Sequence, residues 1–562
     1  MIRILNTKAL YNKIRFVSIT VSIIFIFNSI LFIKVYLSSN YSFFLFNEIR
    51  HINSKYWFCL KVLHLISTLF FWLFISNSLY SKFFYNSPKI TSKESTDYGN
   101  IKLLLGHNVE SNKPVIISER GLYQNVLITG TIGTGKTSSA MYPFVNQLMK
   151  KNLGMLVLDV KGNFHNKIKE FAKLYNKKVT VIELNGKETY NPLDKPNLKP
   201  SVLANRLRTI LTLFSNQNTS DTYWLDKVES FLTEAIKLCR IYNEGYVTFI
   251  ELHKLIYDKD YLNQKISLAK NLFLSNSLSK EQIYEFSTCL DFFFSEFKML
   301  DSRVLSIIQS EISRITQIFV NDLDVKNTFC PPKEKITFKG FQNPENSIVV
   351  LNMNIAEYRN LSKIIATYLK LDFQSEVLMR LAKSTTISPV AFICDEYQEY
   401  VTANDADFFS ESREAKCISI VSTQSYTSIL NAVKDQSSAK VIIQSLVNKI
   451  WFRTDDIFTI EEAQKQLGKE DKIKYSRSIS ENAKETKYNY LLHSFKSDAS
   501  NLSESISTQV HHDFIYDTNA FSVDLKTFHA ICFISTGSAV IPAQHVRLTP
   551  IHEITLNNTK FI

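Results

Sequence analysis

Residues 130–137 constrain this chain more than any other segment. They read Gly-Thr-Ile-Gly-Thr-Gly-Lys-Thr and match the phosphate-binding pattern GxxxxGK(S/T). The chain has only 13 glycines in 562 residues, so a chance match to this pattern is rare. An apolar segment, 125–129, precedes the motif, and residues 138–150 carry apolar side chains at helical spacing. This context of strand, loop and helix predicts an α/β fold with a nucleotide-binding loop.

The residue types in this loop have clear chemical roles. Glycines allow successive backbone N–H groups to point at phosphates, at a helix N-terminus whose dipole favours anions. Lys136 is expected to reach the β- and γ-phosphates of ATP, and the Thr137 hydroxyl is expected to bind Mg²⁺. The predicted nucleotide-binding residues are Gly130, Thr131, Gly133, Thr134, Gly135, Lys136, Thr137 and Ser138.

Hydrolysis also requires acidic residues at the end of a second strand. The apolar residues 390–394 lead directly into Asp395 and Glu396. Asp395 is expected to hold Mg²⁺, and Glu396 is expected to orient and polarise the attacking water. An apolar run followed by two acids is common at ordinary strand ends, so this prediction depends on its pairing with the loop.

Two further predicted strands end in polar residues that suit the same site. One precedes Asp159 and Lys161, and the other precedes Gln424. Ligands of open α/β sheets bind beyond the carboxyl ends of the strands, so Gln424 is a candidate sensor of the γ-phosphate. Arg413 is a candidate arginine finger for the nucleotide of a neighbouring subunit. A solvated strand end and a surface arginine are the ordinary alternatives for these two residues.

The first part of the chain contains two long apolar runs. Residues 16–33 carry no charge, and residues 62–80 are interrupted only by His64. Each run is long enough to cross a hydrocarbon core of about 30 Å as a helix. These runs predict a membrane anchor, 1–95, with transmembrane helices at about 16–36 and 57–80. A cleaved signal peptide and a buried core helix are the alternatives for the first and second runs.

The charge distribution supports the same interpretation. Residues 1–88 carry nine basic side chains and one acidic side chain, within a chain of net charge +12. Basic residues beside apolar runs suit anionic lipid headgroups, so the net charge is a weak indication of a nucleic-acid partner. Because ATP is cytoplasmic, we expect a multi-pass protein of the cell membrane with its ATPase domain in the cytoplasm.

The pattern of predicted secondary structure changes twice along the remainder of the chain. Residues 96–200 and 331–562 alternate between strand and helix patterns, whereas residues 201–330 show only helical spacing. This predicts an all-α domain, 201–330, inserted into a discontinuous nucleotide-binding domain. The polar segment 475–512 is predicted to be a long loop. Four basic residues are candidate phosphate contacts, although a solvated face is the favoured interpretation of Lys195, Lys199, Arg206 and Arg208.

Taken together, these motifs resemble one known family. The order of motifs is similar to that of the coupling proteins of type IV secretion systems, the TraG/TraD-like conjugative DNA-transfer ATPases. Besides the loop and the acidic strand, the resemblance rests on Asp159-Val160-Lys161-Gly162, Tyr190-Asn191-Pro192-Leu193, Tyr223-Trp224, Arg413, Gln424 and the stretch 454–468. The chain departs from the family pattern at Asn163, where glutamate is usual.

The resemblance implies a fold and a function. It implies a RecA-like P-loop domain with an all-α insertion, a preceding transmembrane hairpin and assembly into a homo-hexameric ring. The ring would use ATP and Mg²⁺ to drive a relaxase-bound single strand of DNA through the secretion channel. Arg413 would act on the neighbouring subunit's nucleotide, and Gln424 would sense hydrolysis.

Other functions remain open at this point. An FtsK/HerA-like translocase of duplex DNA, the channel-assembly ATPase of the same systems and a coupling protein that exports protein effectors are alternatives within the motor class. A membrane receptor that uses nucleotide only to set its shape is an alternative outside it. Glu396 argues against the receptor, because a site that does not hydrolyse ATP has no need of a water-polarising carboxylate.

Overall fold

The computed structural model describes residues 101–214, 219–275, 278–383, 387–482, 487–490, 494–496 and 501–554. Backbone contacts divide the chain into two compact units, Met1–Asp97 and Tyr98–Ile562. All of the described residues belong to the second unit.

Strands recur along the whole of this part of the chain. They are β1 Lys102–Asn108, β2 Pro114–Ser118, β3 Val126–Thr129, β4 Gly154–Leu158, β5 Thr180–Ile182, β6 Ile348–Leu351, β7 Val390–Cys394, β8 Cys417–Thr423, β9 Asn448–Phe452, β10 Lys469–Asn482, β11 Lys487–Asn489, β12 Ser494–Lys496, β13 Asn501–Phe514, β14 His529–Ser535 and β15 Val540–Leu548.

Helices separate most of these strands. They are α1 Glu119–Leu122, α2 Tyr142–Met149, α3 Phe164–Leu174, α4 Pro200–Thr212, α5 Thr219–Tyr242, α6 Phe249–Tyr257, α7 Lys259–Leu274, α8 Lys280–Asp291, α9 Ser302–Asn321, α10 Leu323–Phe329, α11 Ile355–Lys383, α12 Asp405–Glu411, α13 Tyr426–Val433, α14 Gln436–Ser445, α15 Ile457–Leu467 and α16 Thr518–Ser522. A π-helix, Lys136–Met141, precedes α2.

Eleven of the described strands form one mixed sheet in the order β2-β1-β15-β14-β9-β3-β8-β7-β4-β6-β5. The strands from β9 to β5 in this order are parallel. The strands β14, β15, β1 and β2 extend the sheet with antiparallel pairs. The carboxyl ends of β3, β8, β7 and β4 therefore lie side by side at one edge.

The central strands are buried on both faces. On β7, Phe392 and Cys394 pack into one apolar core, whereas Ala391 and Ile393 pack into the other. Because successive side chains of a strand point to opposite faces, a strand between two cores needs a continuous apolar run. This requirement explains why the segments predicted as strands from their apolar runs are confirmed at β3, β4, β7 and β8.

Between β5 and β6, the described residues form the helices α4 to α10 and no strand. The apolar stripes predicted there are buried, as Leu207, Phe231 and Ile312 illustrate. Asp301 accepts a hydrogen bond from Arg303 N at 3.2 Å and caps α9. The boundaries 201–330 of a separate inserted domain remain a prediction.

A buried ionic cluster joins this helical block to α11. Asp372 on α11 is fully buried, and its carboxylate lies 2.7 Å from Lys195 Nζ and 3.1 Å from Arg206 Nη1. The Tyr190 hydroxyl donates to the same carboxylate at 3.4 Å. Lys195 and Arg206, which were candidate phosphate contacts, are therefore buried partners of Asp372. Removing one member of such a cluster leaves an uncompensated buried charge.

The prediction of a long loop at 475–512 is wrong. The strands β10 and β13 pair along a two-stranded antiparallel hairpin, from Lys469 opposite Phe514 to Asn482 opposite Asn501. Exposed apolar side chains on one face, including Ile473 and Val510, alternate with polar residues. A strand is recognised in a sequence by the alternation of apolar and polar residues, which arises when one face of the strand is buried. This hairpin is exposed where its side chains are described, so its composition resembles that of a loop.

The predicted membrane localisation requires a correction. In the part of the chain that begins at residue 101 and has the gaps given above, no helix is long and apolar enough to cross a bilayer. The two predicted transmembrane helices, at about 16–36 and 57–80, lie outside the described residues. The assignment of a multi-pass membrane protein is therefore not supported by the structure.

The buried Lys449 generates a prediction about pH and stability. It lies on β9 opposite Leu127 of β3, and its Nζ donates to the carbonyl oxygens of Ile443 and Leu446. Burial lowers the pKa of Lys449 to about 7. Between about pH 7 and the ordinary lysine pKa of about 10.4, the unfolded chain binds a proton that the folded chain does not. The free energy of unfolding therefore rises with pH in this window, by up to about 1.4 kcal/mol per pH unit.

Urea unfolding at pH 7.5 and pH 9 measures this rise. We expect Lys449→Met to lose it, whereas Lys440→Met, which replaces an exposed lysine on α14, keeps it. Equal pH dependence of the wild-type chain and Lys449→Met would contradict the assignment.

Candidate nucleotide site

The glycine-rich loop follows β3, which lies between β9 and β8 in the sheet. Gly135 has a φ of 97°, and a Cβ at this position would lie 2.5 Å from the Phe528 ring. Gly133 has a φ of 82°, with nothing within 4 Å of its Cβ position. Glycine is therefore required at Gly135 by both conformation and space, and the loop is open at Gly133. The helix that follows begins with π-helical turns, which the sequence did not predict.

Lys136 folds back over the loop. Its Nζ donates to Gly130 O at 2.5 Å and to Thr131 O at 3.2 Å, and the residue is buried. Burial lowers the pKa of Lys136, and the nearby carboxylates of Glu396 and Asp395 oppose that shift. A buried ammonium group bonded only to carbonyl oxygens is a suitable partner for a phosphate.

The other predicted loop residues lie around the same turn. Thr131 Oγ1 donates to Arg453 O at 3.1 Å, and Thr134 Oγ1 donates to Thr131 O at 2.9 Å. Ser138 Oγ donates to Gly135 O at 3.3 Å. These bonds hold the loop and the first turn of the helix together.

Thr137 follows the loop after β3 and Asp395 follows β7, and β8 lies between these two strands. The Thr137 hydroxyl donates to Asp395 Oδ2 at 3.0 Å, and the Ser422 hydroxyl of β8 donates to Asp395 Oδ1. Burial, reinforced by the adjacent charge of Glu396, raises the pKa of Asp395, and the bond from Ser422 opposes the shift. A hydroxyl and a carboxylate at this distance are the hard oxygen donors that Mg²⁺ prefers.

Glu396 follows in a left-handed backbone conformation, with φ 51° and ψ 51°. This conformation is uncommon outside glycine, and such residues cluster at functional sites. Gln398 Nε2 donates to Glu396 Oε2 at 2.8 Å, and Lys161 Nζ lies 3.5 Å from Glu396 Oε1. Burial favours the neutral acid, but the bond from Gln398 and the charges of Lys136 and Lys161 outweigh it and lower the pKa of Glu396. The carboxylate is therefore held in its ionised form.

Gln424 connects the loop with Glu396. Its backbone oxygen accepts a hydrogen bond from Gly130 N at 3.1 Å. Its side-chain Nε2 donates to Glu396 Oε2 at 3.4 Å. A shift of the loop or of the acid would therefore reach Gln424 directly.

Asp159 has a structural role that also positions Lys161. Its carboxylate accepts hydrogen bonds from the backbone N–H groups of Lys161, Asn163 and Phe164, each at 3.0 Å. These bonds cap α3 and fix the turn in which Lys161 points towards Glu396. Asn163 is the N-cap residue of α3 but makes no side-chain capping bond, so Asp159 supplies the missing acceptor.

Arg413 lies away from the other predicted site residues. It is exposed, it precedes β8, and its Nη2 donates to Gly537 O at 3.3 Å. Because β8 runs from Cys417 to Thr423 at the site, Arg413 is separated from the loop of its own chain by the length of that strand, about 20 Å.

Three neighbouring residues were missed by sequence analysis. Ser422 bonds to Asp395, Gln398 bonds to both Glu396 and Thr423, and Phe528 contacts the loop at Gly135. The position of Ser422, one residue before the end of a buried strand, was a weak signal. No sequence pattern identified Gln398, whose contact with Thr423 depends on the pairing of β7 with β8, or Phe528, whose contact with the loop depends on the order of the strands.

Comparison with known proteins gives two matches to family models. Residues 88–314 match the family described as type IV secretory system conjugative DNA transfer. Residues 389–510 match the family described as the TraM recognition site of TraD and TraG. A search of curated proteins finds no match.

Solved structures of the plasmid coupling protein TrwB share the fold. The unbound form of TrwBdeltaN70 is 12% identical, with a TM-score of 0.51 over 79% of this chain and 88% of that chain. The complex of TrwB with the non-hydrolysable GTP analogue GDPNP has a TM-score of 0.51, and the complex of TrwB with ADP and Mg²⁺ has a TM-score of 0.50. Both complexes are 12% identical to this chain, over 79% of this chain and 89% of TrwB. This likeness confirms the α/β, RecA-like fold. Because the two matched segments together span more than half of the chain, we conclude that it belongs to the coupling protein family of type IV secretion systems.

Proposed function

We propose that this chain is an ATPase that drives DNA into a type IV secretion channel during conjugative transfer. The observation that carries the proposal is the convergence of Lys136, Thr137, Asp395, Glu396 and Gln424 at one edge of the sheet. The family to which the chain belongs supports conjugative DNA as the cargo. The relaxase-bound single strand is the form of DNA that we propose.

The residues present fit ATP and Mg²⁺. The loop 130–138 would hold the phosphates with its backbone N–H groups, and Lys136 would exchange its carbonyl partners for phosphate oxygens. Thr137 and Asp395 would hold Mg²⁺, which solved TrwB also binds together with ADP. ATP supplies the phosphoanhydride bond whose hydrolysis releases the free energy for movement.

Glu396 is the residue that we propose orients and polarises water. Its carboxylate is ionised and lies beside the Mg²⁺-binding pair, because it immediately follows Asp395 after β7. Gln398 and Lys161 hold its orientation, and Gln424 would report its position to β8. A receptor without hydrolysis would gain nothing from a carboxylate held in this way.

We propose that the active form is a ring, a homo-hexamer as in the family resemblance. Arg413 cannot reach the nucleotide of its own chain, so it would complete the site of the adjacent subunit. Components of the secretion channel and of the relaxosome are the remaining proposed partners, and the matched TraM recognition region supports the latter.

Magnesium-dependent binding tests the pair Thr137 and Asp395. Isothermal titration calorimetry of the full-length chain with ADP should show tighter binding when Mg²⁺ is present. Asp395→Asn should reduce the gain in ADP affinity that Mg²⁺ produces at least about tenfold. It should leave the affinity for ADP without Mg²⁺ unchanged, since it removes only the charge next to the metal. Asp407→Asn, an exposed control on α12, should keep the gain. An unchanged gain in Asp395→Asn would remove Asp395 from the metal site.

Hydrolysis tests the role of Glu396. ATP turnover by the full-length chain should rise with protein concentration and with single-stranded DNA. Glu396→Gln should lower turnover about 100-fold or more with ADP affinity unchanged, because general-base catalysis contributes about 10²–10⁴-fold. Glu461→Gln, which changes an exposed glutamate of α15, is the control.

Three outcomes of that assay separate the alternatives. Stimulation by duplex DNA alone would favour a duplex translocase. Turnover that no DNA changes would favour export of protein cargo. Bound nucleotide without turnover at any protein concentration would contradict the motor.

Mixing two inactive variants tests the placement of Arg413. Arg413→Ala subunits keep an intact Glu396, and Glu396→Gln subunits keep an intact Arg413. If Arg413 acts across the subunit interface, mixed rings should recover a measurable fraction of wild-type turnover. Mixtures of Glu396→Gln with Lys136→Ala should recover none, because both residues serve the same site. Absence of recovery at every mixing ratio of the first pair would contradict an action of Arg413 in trans.

A further inference from the structure

An aromatic side chain lies against the glycine-rich loop on the side away from the acidic residues. Phe528 immediately precedes β14, and its N–H donates to Thr134 O at 3.1 Å. Its ring touches the loop at Gly135, where an added Cβ would lie 2.5 Å from Phe528 Cδ1. Phe528 is only partly buried, so part of the residue is open to solvent beside the loop.

The backbone of Phe528 is held in an unusual conformation. Its φ is 67°, in the left-handed region that bulky side chains rarely adopt. Hydrogen bonds hold it there from both sides, since Leu548 N donates to Phe528 O at 2.8 Å and His529 N donates to Lys526 O at 3.0 Å. A strained backbone conformation of this kind persists only where surrounding contacts hold it in place, and it is frequent at ligand-binding sites.

The order of the strands places Phe528 relative to a bound nucleotide. The strands β8 and β7, which lead to Gln424 and to Asp395 and Glu396, lie on one side of β3. The strands β9 and β14, and therefore Phe528, lie on the other side. The acidic side serves Mg²⁺ and the terminal phosphate, so the base of an extended nucleotide has the opposite flank available.

A second ring accompanies Phe528. The centroid of the exposed His552 ring lies 6.1 Å from that of Phe528, with an interplanar angle of 61°. Aromatic faces next to a phosphate-binding loop can stack on a nucleobase, because every base has a π-face.

We propose that Phe528, together with His552, forms the surface that contacts the purine base of the nucleotide. The proposal rests on the proposed ATP site, since it assigns the base end of the same ligand. A purely structural role for Phe528, in which its ring only supports Gly135, is the competing explanation. The two differ in one respect: a base contact affects ligands that carry a base, whereas support of the loop affects every ligand that carries phosphates.

Titration of the full-length chain with two probes separates these roles. The probes are ADP and inorganic tripolyphosphate, each with Mg²⁺, and the readout is the dissociation constant from calorimetry. We expect Phe528→Ala to weaken ADP binding about tenfold, which is about 1.4 kcal/mol, and to change tripolyphosphate binding less than about twofold. Phe528→Tyr should retain wild-type affinity for ADP. Phe294→Ala, which removes a phenylalanine ring that is 53% exposed and far along the chain, is the matched control.

Fluorescence gives a readout that a supporting role would not change. In Phe528→Trp, ADP should quench the added tryptophan signal through stacking, whereas tripolyphosphate should not. Equal weakening of both probes in Phe528→Ala, unchanged binding of ADP, or equal quenching by both probes would each overturn the base contact. A wild-type chain that binds neither probe would instead refute the proposed ATP site itself, so the two failures are distinguishable.

Discussion

The contact between Thr137 and Asp395 is the constraint on which the rest of the site depends. The two residues are 258 positions apart in the chain, yet the hydroxyl and the carboxylate lie 3.0 Å apart. The contact forms because β3 and β7 both pair with β8 in parallel, so that their carboxyl ends meet at one edge. Apart from Arg413, the predicted site residues are arranged around this pair: Lys136 and the loop before it, Glu396 beyond it, and Gln424 beside Glu396.

The local elements of this edge could be predicted from the sequence, because each has a local signal. The loop has its glycines, and β3, β4 and β7 have the continuous apolar runs that burial on both faces requires, whereas Ser419 and Ser422 interrupt the apolar residues of β8. The contacts of Glu396 had no such signal. Lys161 meets it only because β4 lies beside β7 and because Asp159 fixes the turn after β4. Gln398 lies two residues after Glu396, in a turn whose left-handed backbone at Glu396 no sequence pattern indicated. The hairpin of β10 and β13 was missed for a related reason, since exposed strands lack the burial pattern from which strands are recognised.

The two adjacent carboxylates at this edge, Asp395 and Glu396, differ in their pKa shifts and in their proposed roles. Burial raises the pKa of Asp395, so that carboxylate would benefit most from a bound cation. The pKa of Glu396 is lowered by the bond from Gln398 and by Lys136 and Lys161, against the effect of its burial, so it is ionised before any ligand arrives. Two adjacent acids thus differ in their environments, and the difference matches a metal ligand and a water-orienting base.

The most direct test of this account is electron cryomicroscopy of full-length Glu396→Gln with Mg²⁺ and ATP, under conditions in which hydrolysis is blocked. The account predicts a ring in which the phosphates lie on Lys136 and the loop, and Mg²⁺ lies between Thr137 and Asp395. It also predicts that Arg413 of the adjacent subunit reaches the γ-phosphate. Nucleotide bound away from the glycine-rich loop, or Mg²⁺ held without Thr137 and Asp395, would contradict it.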